Sequence, residues 1–204
     1  MARSLSSLLL TGAALVLFSV AVTEQGITGP PPQPGLGQAF EAGTDRTAKP
    51  LAELPSAAPT RVRIGAIGVN APLMDLDLEP DGRLASPPEN DSNLAGWYGD
   101  GVAPGSRGTA IIAGHVDIPT GPAVFYHLGA LKKGMRIDVS RSDRRTAHFT
   151  IDAIEVYDAE DFPDDKVYAD SDRAELRVIT CGGGYDKHRG RYRGNVVVYA
   201  HLTS

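Results

Sequence analysis

Cys181 is the only cysteine in this 204-residue chain, and its surroundings suit a nucleophile. A lone thiol forms no internal disulfide. It is buried and inert, bonded to another chain, or kept because a thiolate does chemistry. The run Leu176, Arg177, Val178, Ile179, Thr180 is rich in apolar and β-branched residues and reads as a strand, with Gly182, Gly183 and Gly184 just past the cysteine. The sulfur therefore sits at a strand end, beside backbone that leaves room for another main chain. A thiol of ordinary pKa needs a base or a positive charge nearby to act at neutral pH. The histidines are His115, His127, His148, His188 and His201. His115 also closes an apolar strand, over residues 109–114, so two such strands side by side set imidazole and thiol at one rim. His127 falls in a short helical stretch, His148 near an Arg-rich turn, His188 in a charged loop and His201 in the last strand. Acyl transfer also needs a donor for the oxyanion. Arg193 and Asn195 share a strand face with Val197; the first offers a charged fork, the second a neutral amide. Arg189 and Arg191 read as loop solvation.

The rest of the chain sets the compartment and the scaffold. Residues 5–22 are apolar or small and uncharged, and Arg3 precedes them. That run is at the lower edge of what spans a bilayer, and Arg3 orients it with the bulk of the chain outside. Ser19 and Ala21 also suit a signal peptidase; the uncleaved anchor is favoured, and either reading puts the remainder outside the cytoplasm. There, structural cysteines usually pair. Residues 23–59 carry Gly29-Pro30-Pro31-Pro32-Gln33-Pro34-Gly35 and later Pro50, Pro55 and Pro59. With few large apolar residues this stretch reads as an extracytoplasmic linker, reaching up to roughly 100 Å if polyproline-like. Residues 60–204 fit one domain with a single core. The net charge of −5 gives no basic face for nucleic acid, and Arg141, Arg144 and Arg145 read as decoration of a solvated hairpin turn. No repeat, phosphate-binding glycine loop or zinc pattern is present; neither cofactor nor metal is expected.

Six segments read as strands: 61–64, 109–114, 135–139, 147–157, 176–181 and 195–201. Punctuated by Gly, Pro and Asp turns, they indicate a mainly β fold, an antiparallel barrel or sandwich. Only residues 122–131 offer a helix, with Val124, Leu128 and Leu131 at helical spacing.

Three segments in this order carry a resemblance: Ala113-Gly114-His115-Val116-Asp117, Val178-Ile179-Thr180-Cys181-Gly182-Gly183, and Tyr192-Arg193-Gly194-Asn195-Val196-Val197-Val198-Tyr199-Ala200. The chain resembles sortases, nearest the actinobacterial class E/F type with class F preferred, over about residues 60–204. Gly96-Trp97-Tyr98, Pro104-Gly105-Ser106-Arg107-Gly108-Thr109 and residues 122–126 add to the likeness. The resemblance implies a closed eight-stranded β-barrel and a cysteine transpeptidase. It would recognise surface proteins bearing an LPXTG-like sorting signal and cleave between Thr and Gly through a thioester. An amine, typically on a peptidoglycan precursor, would resolve that intermediate. Cys181 then matches the nucleophile and His115 the general acid and base. The arginine role goes to Arg193 with Asn195 as helper, because Asn195 itself falls where other classes carry arginine. Thr180, Gly182 and Asn195 are expected to line the substrate site. The alternatives are an exported cysteine hydrolase without transfer and a non-catalytic surface β-domain. An L,D-transpeptidase would hold histidine and cysteine in one compact motif, which this chain does not.

Overall fold

The computed structural model describes residues 29–41 and 53–204. Among them are ten strands and one turn of α-helix: β1 (Pro59–Ile64), β2 (Val69–Leu76), β3 (Ala95–Tyr98), β4 (Gly108–Gly114), β5 (Asp117–Ile118), β6 (Gly121–Pro122), β7 (Arg136–Arg141), β8 (Thr146–Asp158), α1 (Asp164–Val167), β9 (Ala174–Asp186) and β10 (Arg191–Leu202). The segment expected to anchor the chain, residues 1–22, lies outside the described residues. Among those described, no helix is long and apolar enough to cross a membrane.

Eight strands close into a barrel in the order β1-β2-β3-β4-β9-β10-β8-β7, and β5 and β6 form a separate small hairpin. Closure leaves no free sheet edge. Alternation decides which face is which. Val62, Ile64, Ala110, Ile112, Phe149, Ile151, Leu176, Val178, Val196 and Val198 point inward to one core. Ala153, Ile179, Val197 and Tyr199 point outward and are covered by Val167 of α1 and by Phe40. The site is built on this outer face.

Every segment read as a strand is one, but the fold departs from expectation in three places. The barrel is not wholly antiparallel, since β2 pairs with β3 and β4 with β9 in parallel. β2 contains Pro72, which reads as a breaker, and β3 is too short to show a period. Residues 122–131 form turns and a short 3₁₀ segment, Leu128–Ala130, rather than an α-helix. Their helical spacing reflects burial: Val124, Phe125, Leu128 and Leu131 pack into the inward core.

Residues 29–41, within the stretch read as linker, run along the barrel. The Tyr126 hydroxyl donates to the Gly29 carbonyl. Gln33 Oε1 accepts from the Gly183 N–H at 3.1 Å and Gln38 Oε1 from the Lys133 N–H at 2.9 Å. Phe40 sets its ring edge-on to Tyr199, centroids 5.0 Å apart. A segment poor in apolar surface docks here because its amides and carbonyls satisfy polar groups that the barrel leaves open.

Arg141 departs from the solvated-turn reading. Its side chain is fully buried. It donates to the carbonyls of Pro55 and Pro104, and it pairs with Asp143 at 3.3 Å. It thereby clamps residues 53–55 to the loop before β4, where the Leu54 N–H also reaches the Gly105 carbonyl at 2.8 Å. Removing the guanidinium orphans these acceptors, so Arg141→Met is expected to lower stability in urea unfolding by about 3–5 kcal/mol. Arg144 lies at a left-handed φ of 65°. Arg144→Gly should leave stability unchanged or slightly raised, since only glycine adopts that conformation freely.

Candidate active site

Parallel pairing brings the two strand ends together. Ile112 is level with Val178 and Ala113 with Ile179. The pairing ends there, and each path runs on two residues, to His115 past the end of β4 and to Cys181 within β9. Ile111 and Ala113 alternate with the inward Ala110 and Ile112, so His115 continues the outward row. Cys181 continues the outward row of Ile179. One hydrogen bond fixes the two paths: Thr180 donates its hydroxyl to the Gly114 carbonyl at 2.8 Å. Thr180 is buried and its hydroxyl is committed, so it ties strands together rather than lining an open groove.

The other flank of Cys181 is β10, paired antiparallel, and Asn195 stands directly across from Cys181. Cys181 and Asn195 thus stand side by side, and His115 follows the end of β4 on the other flank of β9. Gly182 faces inward opposite Gly194, where a Cβ would come 2.5 Å from Val196 Cγ2. Its role is close packing beneath the thiol. Gly183 and Gly184, at φ 72° and 86°, absorb the extra residue of a β-bulge that interrupts the β9–β10 register. Beyond it, Arg193 is exposed. It lines a shallow cavity with Asp158, Glu160, Asp186, Arg189 and Arg191, one same-face position further from the thiol than Asn195. Arg189 and Arg191 both pair with Glu160.

His115 has a defined tautomer. Its Nε2 lies 2.7 Å from the Pro87 carbonyl, which can only accept, so Nε2–H is the donor in that bond. Two other histidines are committed to carboxylates: His148 Nδ1 to Asp138 at 2.6 Å and His201 Nδ1 to Asp152 at 2.7 Å. His127 packs against the Tyr126 ring, and the His188 N–H donates to Asp186 in a turn.

The Cys181 residue is exposed, yet protein crowds round its sulfur. Desolvation, and then the negative charge of Asp117, raise its pKa above the ordinary 9.0. Both effects favour the neutral thiol over the thiolate, and a thiol in such surroundings needs a base to act as a nucleophile. Asp117 accepts a hydrogen bond from the Tyr192 hydroxyl. Neither had been assigned a role from sequence. Both lie within recognisable motifs, but only the fold shows that they meet beside the thiol.

Alkylation of Cys181 by iodoacetamide should rise with pH through an inflection above 9, because burial and Asp117 favour the neutral form. An inflection at or below 7 would contradict that electrostatic reading. Thr180→Val removes the donor to the Gly114 carbonyl and leaves the rest of the pairing in place. We expect a loss of roughly 1–3 kcal/mol in urea unfolding, with kcat falling more than KM rises as His115 and Cys181 lose their tie.

The fold is that of solved sortases at low identity. It matches the Clostridium perfringens sortase D5 transpeptidase with a TM-score of 0.52 and 22% identity, covering 72% of this chain and 79% of that one. Against a lid mutant of Corynebacterium diphtheriae sortase A the TM-score is 0.55 at 18% identity, with 78% and 74% covered. Sortase C-1 from Actinomyces oris gives 0.54 at 21%, with 71% and 73% covered. Comparison with curated proteins found no match. Residues 62–203 match the sortase domain family. That span takes in nearly the whole barrel together with His115, Cys181 and Asn195; the chain belongs to the sortase family and is a cysteine transpeptidase that acts on sorting signals.

Proposed function

We propose that this enzyme cleaves an LPXTG-like sorting signal between Thr and Gly and transfers the acyl part to an amine of a cell-wall precursor. Cys181 gives up its proton to His115 and its sulfur attacks the Thr carbonyl. The imidazolium then protonates the leaving glycine nitrogen, and a thioester remains on Cys181. In the second half, His115 takes a proton from the incoming amine, which displaces the sulfur. The observation that carries this reading is the parallel β4–β9 pairing, whose last pair precedes His115 and Cys181 by two residues each, with Asn195 directly across from Cys181 on β10. A thiol whose surroundings favour its neutral form, in a chain where a histidine follows the end of the neighbouring strand, fits a nucleophile activated only as substrate arrives.

The oxyanion donor in this reading is the Asn195 amide, which lies across from Cys181, while Arg193 is a step further out among acids. The ordered trio of motifs around His115, Cys181 and Asn195 favours the actinobacterial class E/F type, class F before class E; the structural likenesses described above are to class A, C and D forms. The apolar segment at residues 5–22 and the Pro-rich stretch after it support a membrane-anchored enzyme whose barrel works outside the cytoplasm. Retention of the full chain in the membrane fraction, and its loss on deletion of residues 1–22, tests that placement.

Product analysis with an LPXTG peptide, with and without triglycine, tests the function. We expect cleavage after Thr and a new Thr–triglycine product; cleavage to the free acid alone at saturating triglycine would make it a hydrolase. Measured as kcat/KM on that peptide, Asn195→Ala should lose roughly 10²–10³-fold, the usual cost of one oxyanion donor. Arg193→Ala should lose much less and Arg191→Ala almost nothing. A crippled Arg193→Ala beside a near-normal Asn195→Ala would return the role to Arg193.

A further inference from the structure

Asp117 has the wrong sign for the first half of the reaction. A nucleophilic cysteine is activated by positive surroundings, yet the charge that acts on Cys181 after burial is the Asp117 carboxylate, which favours the neutral thiol. Its position follows from the fold. Asp117 opens β5, two residues after His115, and β5 turns back through β6. The Ala123 N–H reaches the Val116 carbonyl and the Phe125 N–H the His115 carbonyl, both at 3.0 Å, so the hairpin cannot swing clear of the strand end. From the far side, Tyr192 of β10 donates its hydroxyl to Asp117 Oδ2, and its ring is braced edge-on by Tyr185 at 5.2 Å. Burial, and then the bond to Asp117, push the Tyr192 hydroxyl pKa up, so it stays a neutral donor. The carboxylate is thus held between the strand that carries His115 and the strand that carries Asn195, next to the sulfur. Only one of its oxygens is occupied by Tyr192.

The second half of the reaction gives such a group a use. A primary amine at neutral pH is mostly an ammonium, an α-amine by a majority and a lysine-type amine almost wholly, and it must reach the thioester and shed a proton there. We propose that Asp117 is a specificity-determining residue that receives the ammonium group of the acyl acceptor beside the Cys181 thioester, with Tyr192 as the positioning residue that aims it. This rests on the transpeptidase reading above and adds the residue that selects amine over water. The ammonium docks on the free carboxylate oxygen and passes one proton to His115. The nitrogen attacks the thioester carbonyl, the C–N bond forms, and the C–S bond breaks. Sulfur leaves with the proton returned by His115. The second ammonium proton goes to solvent, leaving an amide and a free thiol.

Asp117→Asn tests this, because asparagine keeps an oxygen to accept from Tyr192 and removes only the charge. Two steps are measured on the intact barrel: adduct formation on Cys181 with an LPXTG peptide alone, and partition of that adduct between water and acceptor. With triglycine, the variant should need about tenfold more acceptor than wild type to reach equal transfer. Adduct formation should be as fast or faster. Hydroxylamine, uncharged at pH 7.5, should partition the same way in both proteins. Tyr192→Phe should shift triglycine partition in the same direction by less. Unchanged triglycine partition in Asp117→Asn overturns the inference, and so does an equal loss for triglycine and hydroxylamine, which marks a structural role. If wild type forms no adduct with a sorting peptide, the transpeptidase reading fails first and takes this one with it.

Discussion

Two strands that run the same way and end at the same rim need a long crossover between them. In this barrel the β4–β9 pair encloses β5, β6, the core-plugging turns, β7, β8 and α1. Everything chemical depends on that pairing. It brings the strand that leads to His115 beside the strand that carries Cys181 across a long stretch of sequence, and the Thr180 hydroxyl bonded to Gly114 ties them where β4 ends. The opposite flank is local: β9 leads through a short turn into β10, and antiparallel register brings Asn195 across from the sulfur. One half of the site is therefore fixed by global topology and the other by a hairpin.

The floor beneath the site is stiff. Upstream of Cys181 on the same outward face of β9, Glu175 accepts from Arg173 and Arg177 at 2.8 Å each, and Arg177 stacks over Tyr199 at 4.5 Å. All four residues are buried. Such a network resists deformation, because displacing one partner leaves an uncompensated charge out of water. At the thiol the balance differs. Crowding and Asp117 favour the neutral form, so the site holds its nucleophile in reserve until a base and a substrate are both in place.

The strands that carry the chemistry were legible because each is long and either alternating or continuously apolar: β4, β8, β9 and β10 all lie where the pattern puts them. Cys181 and His115 were legible as two residues in the same kind of place, a strand end. Their adjacency depends on a parallel register between distant segments, and local periodicity carries no information about pairing. Pro72 hid β2 for a similar reason, since a residue that breaks most strands is tolerated in this one. Arg141 read as solvated because three arginines in five positions look like a surface, whereas carbonyls from residues far away in sequence bury it. Asp117 and Tyr192 carried no local sign of their meeting, which comes only when the β5–β6 hairpin folds back toward β10.

The central claim is that Cys181 carries the acyl group between two substrates, with His115 beside it to move the protons. Intact-protein mass spectrometry of the barrel with an LPXTG peptide tests this most directly. The account expects a single adduct equal to the peptide's acyl portion, mapped to Cys181, that disappears when an amine is added and never forms in Cys181→Ala. Peptide turnover by Cys181→Ala, or an adduct on any other residue, would contradict it.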